Sequence, residues 1–335
     1  MAPISTAGHL PAPTAVTEHE HTLVVAQREQ ASDDVLALTL AALDGSPLTP
    51  WAAGAHIDLI LPTPTGELVR QYSLCSSPGD LTSYRLGILH EPAGRGGSAY
   101  IHDGLRVGDT VRVAGPRNHF ELVEAASYVL IAGGIGVTPL LPMVAALAAS
   151  GADWHLYYVG RSRSTMAFCD ELEQYADHVT LVPRDVAPRP DLAALLATPV
   201  PGRVVYSCGP ESLIGWLEQT MAANGWAPGA LHTERFEAQE IDTSGDQPFE
   251  VELSRTGKSL LVPADSSIFQ VAREAGVSVL GSCLEGICGT CETEILEADG
   301  ELIHRDSVLT LDDQASGEVM MICVSRCTGK VVLDM

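Results

Sequence analysis

From His21 the chain alternates short apolar runs with turn residues. HTLVVAQREQ, DDVLALTLAAL, AHIDLILP, LVRQYSLCSS, SYRLGILHE and TVRVAGPR are six such runs, β-branched in character and separated by Gly, Pro and Asp. They predict a small antiparallel β-barrel over residues 20–123. The period changes at Ser127. YVLIA, HLYYVG, VTLVP, RVVYSC and LHTERF read as strands, with helices expected between them at about 139–149, 167–175, 192–197 and 211–223. That alternation predicts an α/β domain over 124–237, with a parallel sheet and ligands at the carboxyl ends of its strands. AQEIDTSGDQP (238–248) reads as a polar linker. Residues 249–335 follow as an α+β unit: a hairpin, one amphipathic helix from about Ser267 to Ala275, and a Gly- and Cys-rich loop. Residues 1–19, rich in Pro, Ala, Thr and Ser with no period, read as a flexible tail or linker.

A length of 335 residues leaves room for two or three domains. The formal net charge of -24 excludes nucleic-acid binding by phosphate neutralisation and disfavours an anionic membrane, while leaving a basic partner open. No run approaches 18 apolar residues, and the start, MAPISTAGHLPAP, lacks the basic and apolar regions of a secretory signal. A cytoplasmic protein with reduced thiols is expected.

Three of the eight cysteines change the picture. Cys283, Cys288 and Cys291 in GSCLEGICGTC stand at the C-x4-C-x2-C spacing of a plant-type 2Fe-2S centre. Gly286 and Gly289 suit the tight loop that would aim three thiolates inward. A zinc site is the nearest rival, although its cysteines usually come as two C-x2-C knuckles; inert core thiols are the other. For the fourth ligand, the run Met320 to Cys327 reads as a buried strand on which Cys323 and Cys327 share one face. Cys323 is preferred because it lies inside the apolar stretch, whereas Cys327 borders the Thr328-Gly329-Lys330 turn. This last unit holds 15 Asp and Glu against six Lys and Arg, a net of -9, with Glu285, Glu292 and Glu294 near the cysteines. Such a face is either solvated surface or a steering surface for a redox partner.

Two segments of the first domain carry polar chemistry. Arg70-Gln71-Tyr72-Ser73 sets a cation, a ring and a hydroxyl at a strand end, and Gly94-Arg95-Gly96-Gly97-Ser98 opens an expected helix whose free amides attract phosphate. The plain alternatives are a surface ion pair and a flexible loop. After the first strand of the second domain comes Gly133-Gly134-Ile135-Gly136, a strand-to-helix glycine turn of the kind that faces a pyrophosphate but not G-x-G-x-x-G.

Together and in this order, RQYSL, GRGGS, AGGIGVTP, YSCGP, ERF and CLEGICGTC...CVSR resemble the phthalate dioxygenase reductase family, and more closely still the reductase portion of self-sufficient haem-thiolate monooxygenases. The resemblance covers residues 21–335. It implies an FMN-binding barrel, an NAD(P) domain and a C-terminal β-grasp ferredoxin domain, with the first twenty residues suiting an interdomain linker. It further implies that Arg70, Gln71, Tyr72 and Ser73 meet the flavin, that Gly87, Ile88 and Leu89 offer it main-chain bonds, and that Gly96, Gly97 and Ser98 receive its phosphate. Thr138 would approach the flavin from the nucleotide side, and Phe236 would pack on flavin or nicotinamide. Cys208, Gly209 and Pro210 would border the nicotinamide, and Gly133, Gly134 and Gly136 its pyrophosphate. Ser73, Cys208 and Phe236 would stand at the hydride-transfer site, and Cys283, Cys288, Cys291 and Cys323 would hold the iron.

Where the Rossmann rule seeks an acid for the ribose 2'-hydroxyl, the chain has Arg161-Ser162-Arg163. Two guanidinium groups suit a 2'-phosphate, so NADPH is expected, with NADH possible. Hydride carries two electrons and a 2Fe-2S cluster takes one, which requires a flavin between them. The expected activity is therefore electron transfer from NAD(P)H through FMN and the cluster to a Rieske oxygenase or a haem-thiolate monooxygenase. A stand-alone flavin reductase or oxidase with an accessory cluster, and a nucleotide-sensing module without turnover, are the rivals.

Overall fold

The computed structural model describes residues 20–63, 66–188 and 190–335; the segment 1–19 lies outside the described residues. All six early apolar runs are strands: β1 (Glu20–Ser32), β2 (Val35–Ala42), β3 (His56–Thr63), β4 (Gly66–Ser73), β5 (Ser83–Leu89) and β6 (Thr110–Arg117). They pair antiparallel in the order β4-β3-β6-β1-β2-β5. The expected barrel is not closed by a full ladder. Edge strands β4 and β5 meet at a single bridge, Leu74 with Leu86, and helix α1 (Gly97–Asp103) packs against both edges. Its Ile101 enters the core beside Leu38, Leu40, Ile57 and Leu59, all fully buried, so a side chain fills the seam that further backbone pairing would have closed.

The second domain has the five expected parallel strands: β7 (Ser127–Gly133), β8 (Asp153–Gly160), β9 (Val179–Pro183), β10 (Arg203–Cys208) and β11 (Leu231–Glu234). Helices α2 (Leu140–Ser150), α3 (Cys169–Leu172), α4 (Leu192–Leu196) and α5 (Glu211–Ala223) cover its faces. The helix expected at 167–175 is only four residues of α3, continued by a 3-10 turn over Glu173–His178. Every residue of β7 is buried, as its unbroken apolar run requires of a central strand covered on both faces. The sheet order is β11-β10-β7-β8-β9. Strand order therefore reverses between β7 and β10, and connections leaving that point to opposite faces open a crevice at the carboxyl ends.

Residues 238–248 carry no helix or strand. Asp246 anchors them to the third domain, accepting a 2.8 Å hydrogen bond from Arg305 and lying 3.6 Å from Arg326. That domain comprises β12 (Phe249–Leu253), β13 (Lys258–Val262), α6 (Ile268–Glu274), β14 (Glu292–Asp299), β15 (Leu302–Ile303), α7 (Leu311–Ser316), β16 (Val319–Met321), β17 (Arg326–Cys327) and β18 (Lys330–Leu333). The main sheet, β13-β12-β18-β14-β16, places β12 parallel to β18 and antiparallel to β13. Ser267 and Gln270 form a reciprocal capping box at the start of α6, which buries Ile268, Phe269 and Ala272. One expectation fails here. The run Met320 to Cys327 is not a continuous strand: β16 stops at Met321, the chain turns through 322–324, and β17 starts at Arg326. Side-chain parity along that run has no meaning, because the turn re-aims Cys323.

Candidate functional site

The cysteine loop, 281–291, has no regular secondary structure before β14. Leu284, Gly286 and Gly289 all adopt positive φ, 59°, 72° and 72°, which curls the backbone so that its amides point inward. The Glu285 amide lies 3.3 Å from Cys283 Sγ and the Cys283 amide 3.5 Å from Cys288 Sγ. The four thiols pair two and two, Cys283 with Cys288 and Cys291 with Cys323. Hydrogen bonding from Cys283 lowers the Cys288 thiol, and hydrogen bonding from Cys291 lowers that of Cys323. Among the described residues no three His, Cys, Asp or Glu converge on one point. Two adjacent pairs fit a set of four thiolates shared between two irons, whereas zinc would gather all four about one ion. Cys327 is elsewhere, its sulfur 3.5 Å from the Gly329 amide.

Beside this loop lies strand β4. Its Arg70 stem packs so tightly on α1 that a Cβ at Gly97 would come within 2.7 Å of Arg70 Cγ. Arg70 Nη2 is buried without a hydrogen-bond partner. Burial, then the neighbouring Arg95, lowers the Arg70 pKa, so two cations converge beside the Gly96-Gly97 turn. A phosphate suits that charge and the orphaned donor. Ser98 is less free, because its hydroxyl already accepts the Glu91 amide at 3.0 Å. In β5, the side chain of Ile88 belongs to the barrel core and its carbonyl is 2.9 Å from His102 Nε2. Gly87 faces the nucleotide domain, where a Cβ would strike Thr138 Cγ2 at 2.6 Å and the Phe168 ring at 3.0 Å. Thr138 thus stands against β5. Burial pushes the Tyr72 hydroxyl up to about 12, keeping it a neutral donor.

At the switch point the two glycine turns lock together. A Cβ on Gly136 would lie 2.2 Å from the Cys208 carbonyl oxygen, and one on Gly133 2.7 Å from Pro210 Cδ. Gly133 and Gly136 therefore admit the opposing loop, whereas Gly134, at φ 56° with open space around it, faces the crevice. The crevice is a cavity of about 810 Å³ whose walls include Leu89, Gly134, Gly209, Pro210, Trp216 and Phe236, room enough for a dinucleotide's reacting half. Arg161 and Arg184 line it, but Ser162 and Arg163 do not. Arg163 turns instead to Asp170 and Glu173, at 2.8 and 3.2 Å.

Two residues with no role expected from their sequence positions stand out. Glu234, at the end of β11, accepts the Ser73 hydroxyl at 3.3 Å. Burial pushes its carboxyl up to about 8 against that bond. Burial, then Glu234, raises the adjacent Cys208 thiol well above its usual range. Ser73, Cys208 and Glu234 thus form one neutral cluster. Arg235 is buried and tied to Glu211 at 2.8 Å and Glu218 at 2.9 Å, which pins the backbone that presents Phe236, 39% exposed, to the cavity. The run Glu234-Arg235-Phe236 at the end of the last parallel strand was the available signal, but only the fold brings Glu234 to Ser73.

Comparison with known proteins agrees with this architecture. Residues 22–122 match the oxidoreductase FAD-binding domain family and residues 251–328 the 2Fe-2S iron-sulfur cluster binding domain family. The chain is 41% identical over 320 residues to a vanillate O-demethylase oxidoreductase of Pseudomonas sp. (strain HR199 / DSM 7063), covering 93% of this chain and 99% of that one. It is 36% identical to the phthalate dioxygenase reductase of Burkholderia cepacia, covering 93% and 97%. Among solved structures, an intact type IV self-sufficient cytochrome P450 monooxygenase superposes with a TM-score of 0.88 at 41% identity, over 97% of this chain and 43% of that one. A phthalate dioxygenase reductase structure superposes with a TM-score of 0.67 at 36% identity, over 94% and 98%. Identity of this extent across almost the whole of both chains shows that the protein belongs to the phthalate dioxygenase reductase family, oxidoreductases in which a flavin domain, a nucleotide domain and a 2Fe-2S domain pass electrons to an oxygenase.

Proposed function

We propose that this chain oxidises NADPH at an FMN held by Arg70, Tyr72 and the Gly96-Gly97 turn, and delivers electrons through a 2Fe-2S cluster to a haem-thiolate monooxygenase. One observation carries it: within four residues, β4 faces the phosphate turn through Arg70, the cysteine loop through Gln71 and the nucleotide domain through Ser73. A flavin held by Arg70, Tyr72 and the Gly96-Gly97 turn would supply hydride acceptance, and an iron pair held by Cys283, Cys288, Cys291 and Cys323 would supply one-electron acceptance. The chain's own work is positional. Phe236 closes the mouth of the crevice, the uncharged Ser73-Cys208-Glu234 cluster leaves no fixed charge where hydride passes, and Glu234 can hold a proton for the Ser73 hydroxyl.

FMN rather than FAD is the reading we adopt, supported by the 2.6 Å ion pair of Arg95 with Glu285, which brings the cysteine loop up to the phosphate turn. A haem-thiolate acceptor is favoured by the higher TM-score against the self-sufficient monooxygenase, 0.88 against 0.67; a Rieske oxygenase is the alternative. No helix among the described residues is long and apolar enough to cross a membrane. Glu292 and Glu294 remain exposed near the cluster and suit a basic docking face, whereas Glu285 is engaged by Arg95. NADPH is preferred through Arg161 and Arg184, which reach the cavity, and not through Arg163. Arg161 also touches Asp34 at 3.1 Å, an exposed pair that a phosphate would readily displace.

The test is the ratio of kcat/KM for NADPH to that for NADH. Wild type should favour NADPH, and Arg184→Ala and Arg161→Ala should each lower its kcat/KM by about tenfold, on the order of 1.4 kcal/mol, with NADH unaffected. Equal constants for both nucleotides in wild type would remove the preference. Failure of NADPH to bleach the bound flavin anaerobically would remove the function.

A further inference from the structure

The outer face of the barrel carries a buried charge that the reaction itself does not use. In the β3–β4 ladder His56 lies opposite Ser73 and Asp58 opposite Gln71. Residues directly opposite in an antiparallel pair project to the same side, so all four leave the barrel away from its core. Asp58 is 2% exposed. Its Oδ1 forms an ion pair with Arg117 Nη2 from β6 at 2.6 Å and accepts Gln71 Nε2 at 2.7 Å. The same Gln71 nitrogen gives its other hydrogen to Ser282 Oγ at 2.5 Å, one residue before the ligand Cys283.

The far side of the cysteine loop is held by the same face. The buried His56 ring lies against the cysteine loop beside the Cys288 carbonyl. The His119 ring lies 6.3 Å from that of His56 and fills the space over Gly289, where a Cβ would lie 2.1 Å from its Nε2. The loop is therefore gripped at Ser282 and at 288–289, on both flanks of Cys283 and Cys288.

An amide side chain can present either its oxygen or its nitrogen, and a hydroxyl can accept from one or donate to the other. A carboxylate only accepts. With Asp58 paired to Arg117, Gln71 must turn its nitrogen inward, and that nitrogen then has one direction left for its second hydrogen. A buried ion pair adds little net stability, but it can specify a single arrangement. Electron tunnelling falls exponentially with separation, so a loop held in one arrangement fixes the rate from flavin to cluster.

We propose that Asp58, Gln71 and Ser282 form a latch between the flavin strand and the cluster loop, and that Asp58 and Ser282 are positioning residues for internal electron transfer. The latch rests on the function proposed above and adds to it a device for setting the flavin-to-cluster separation.

The experiment uses the full holoprotein with Ser282→Ala, Ser282→Thr and Asp58→Asn. Anaerobic stopped-flow mixing with NADPH separates flavin bleaching from cluster bleaching, redox titration gives the cluster potential, and amide hydrogen exchange of 281–289 is followed without reductant. Ser282→Ala should bleach the flavin within twofold of wild type, reduce the cluster at least tenfold more slowly at unchanged potential, and exchange the loop amides about tenfold faster. Ser282→Thr, which keeps the hydroxyl, should restore both readouts. Asp58→Asn should act in the same direction; if it does not fold, the Ser282 pair decides. An Ala variant with wild-type cluster reduction and wild-type exchange, or one slowed only through a shifted potential, overturns the latch. Wild-type flavin that NADPH fails to bleach would instead strike the underlying function and leave the loop-exchange result standing on its own.

Discussion

The cysteine loop and the nucleotide crevice are built by opposite strategies. Three of the four cysteines proposed to hold the iron lie within nine consecutive residues, 283–291, and three left-handed residues curl that loop. The crevice instead takes its wall from β2, β5, β7, β8, α4, α5 and the segments after β10 and β11, spanning Val35 to Glu237, and owes its shape to two glycine turns that could not approach if either bore a side chain. A site whose ligands share one loop tolerates change elsewhere in the fold. A site assembled at a switch point depends on every element that meets there.

That contrast can be broken most sharply at the sulfurs. Cys323→Ser should abolish the visible absorbance of the cluster, while Cys327→Ser, altering a thiol just beyond the same turn, should leave it intact; an absorption spectrum of each purified variant decides. If both variants kept the cluster, the two-plus-two pairing would be wrong.

In the crevice, the comparison is between two glycines of one turn. Gly136→Ala would force a Cβ to 2.2 Å from the Cys208 carbonyl, a backbone atom that cannot step aside, and should cost about 3 kcal/mol or more, in the range of severe overpacking. Gly134→Ala meets open space and bears only its φ of 56°, a cost of about 1 kcal/mol. Thermal unfolding of the two variants should rank them in that order.

A pH-dependent effect concerns Glu234. Its folded pKa, about 8, lies above the ordinary 4.5, so folding favours the protonated carboxyl. The associated stability is complete below pH 4.5 and is lost as pH rises through about 8. Glu234→Gln, which cannot ionise, should therefore gain on wild type between about pH 5 and about pH 8.5, by on the order of 2 kcal/mol in the flavin-free protein. A constant difference across that range would show that Glu234 is solvated when folded.

Much of the fold was legible because its periods are strong. The six early runs and the five later ones became strands at the expected places, and α2, α4 and α5 fall within a few residues of expectation. Shorter signals fared worse. The helix expected at 167–175 shrank to four residues beside Phe168, held at φ 59°, where packing on Gly87 overrides local preference. Cys323 lies beside Cys291 of the cysteine loop, yet the strand invoked to choose it is a turn. Arg163 has the right chemistry for a phosphate, but the nearby acids Asp170 and Glu173 claim it; the cavity takes Arg184 instead.

By itself the sequence determined the order of the three domains, the cysteine set and the class of cofactors, because each is encoded in spacing along a short stretch or in a period that one element carries alone. Only the tertiary structure decided that Glu234 faces Ser73, that Arg184 rather than Arg163 reaches the crevice, and that Asp58 orients Gln71 toward Ser282. Ser73 and Glu234 stand 161 positions apart and Gln71 and Ser282 stand 211 apart, and no local pattern records a contact that exists only where separate sheets and loops have packed.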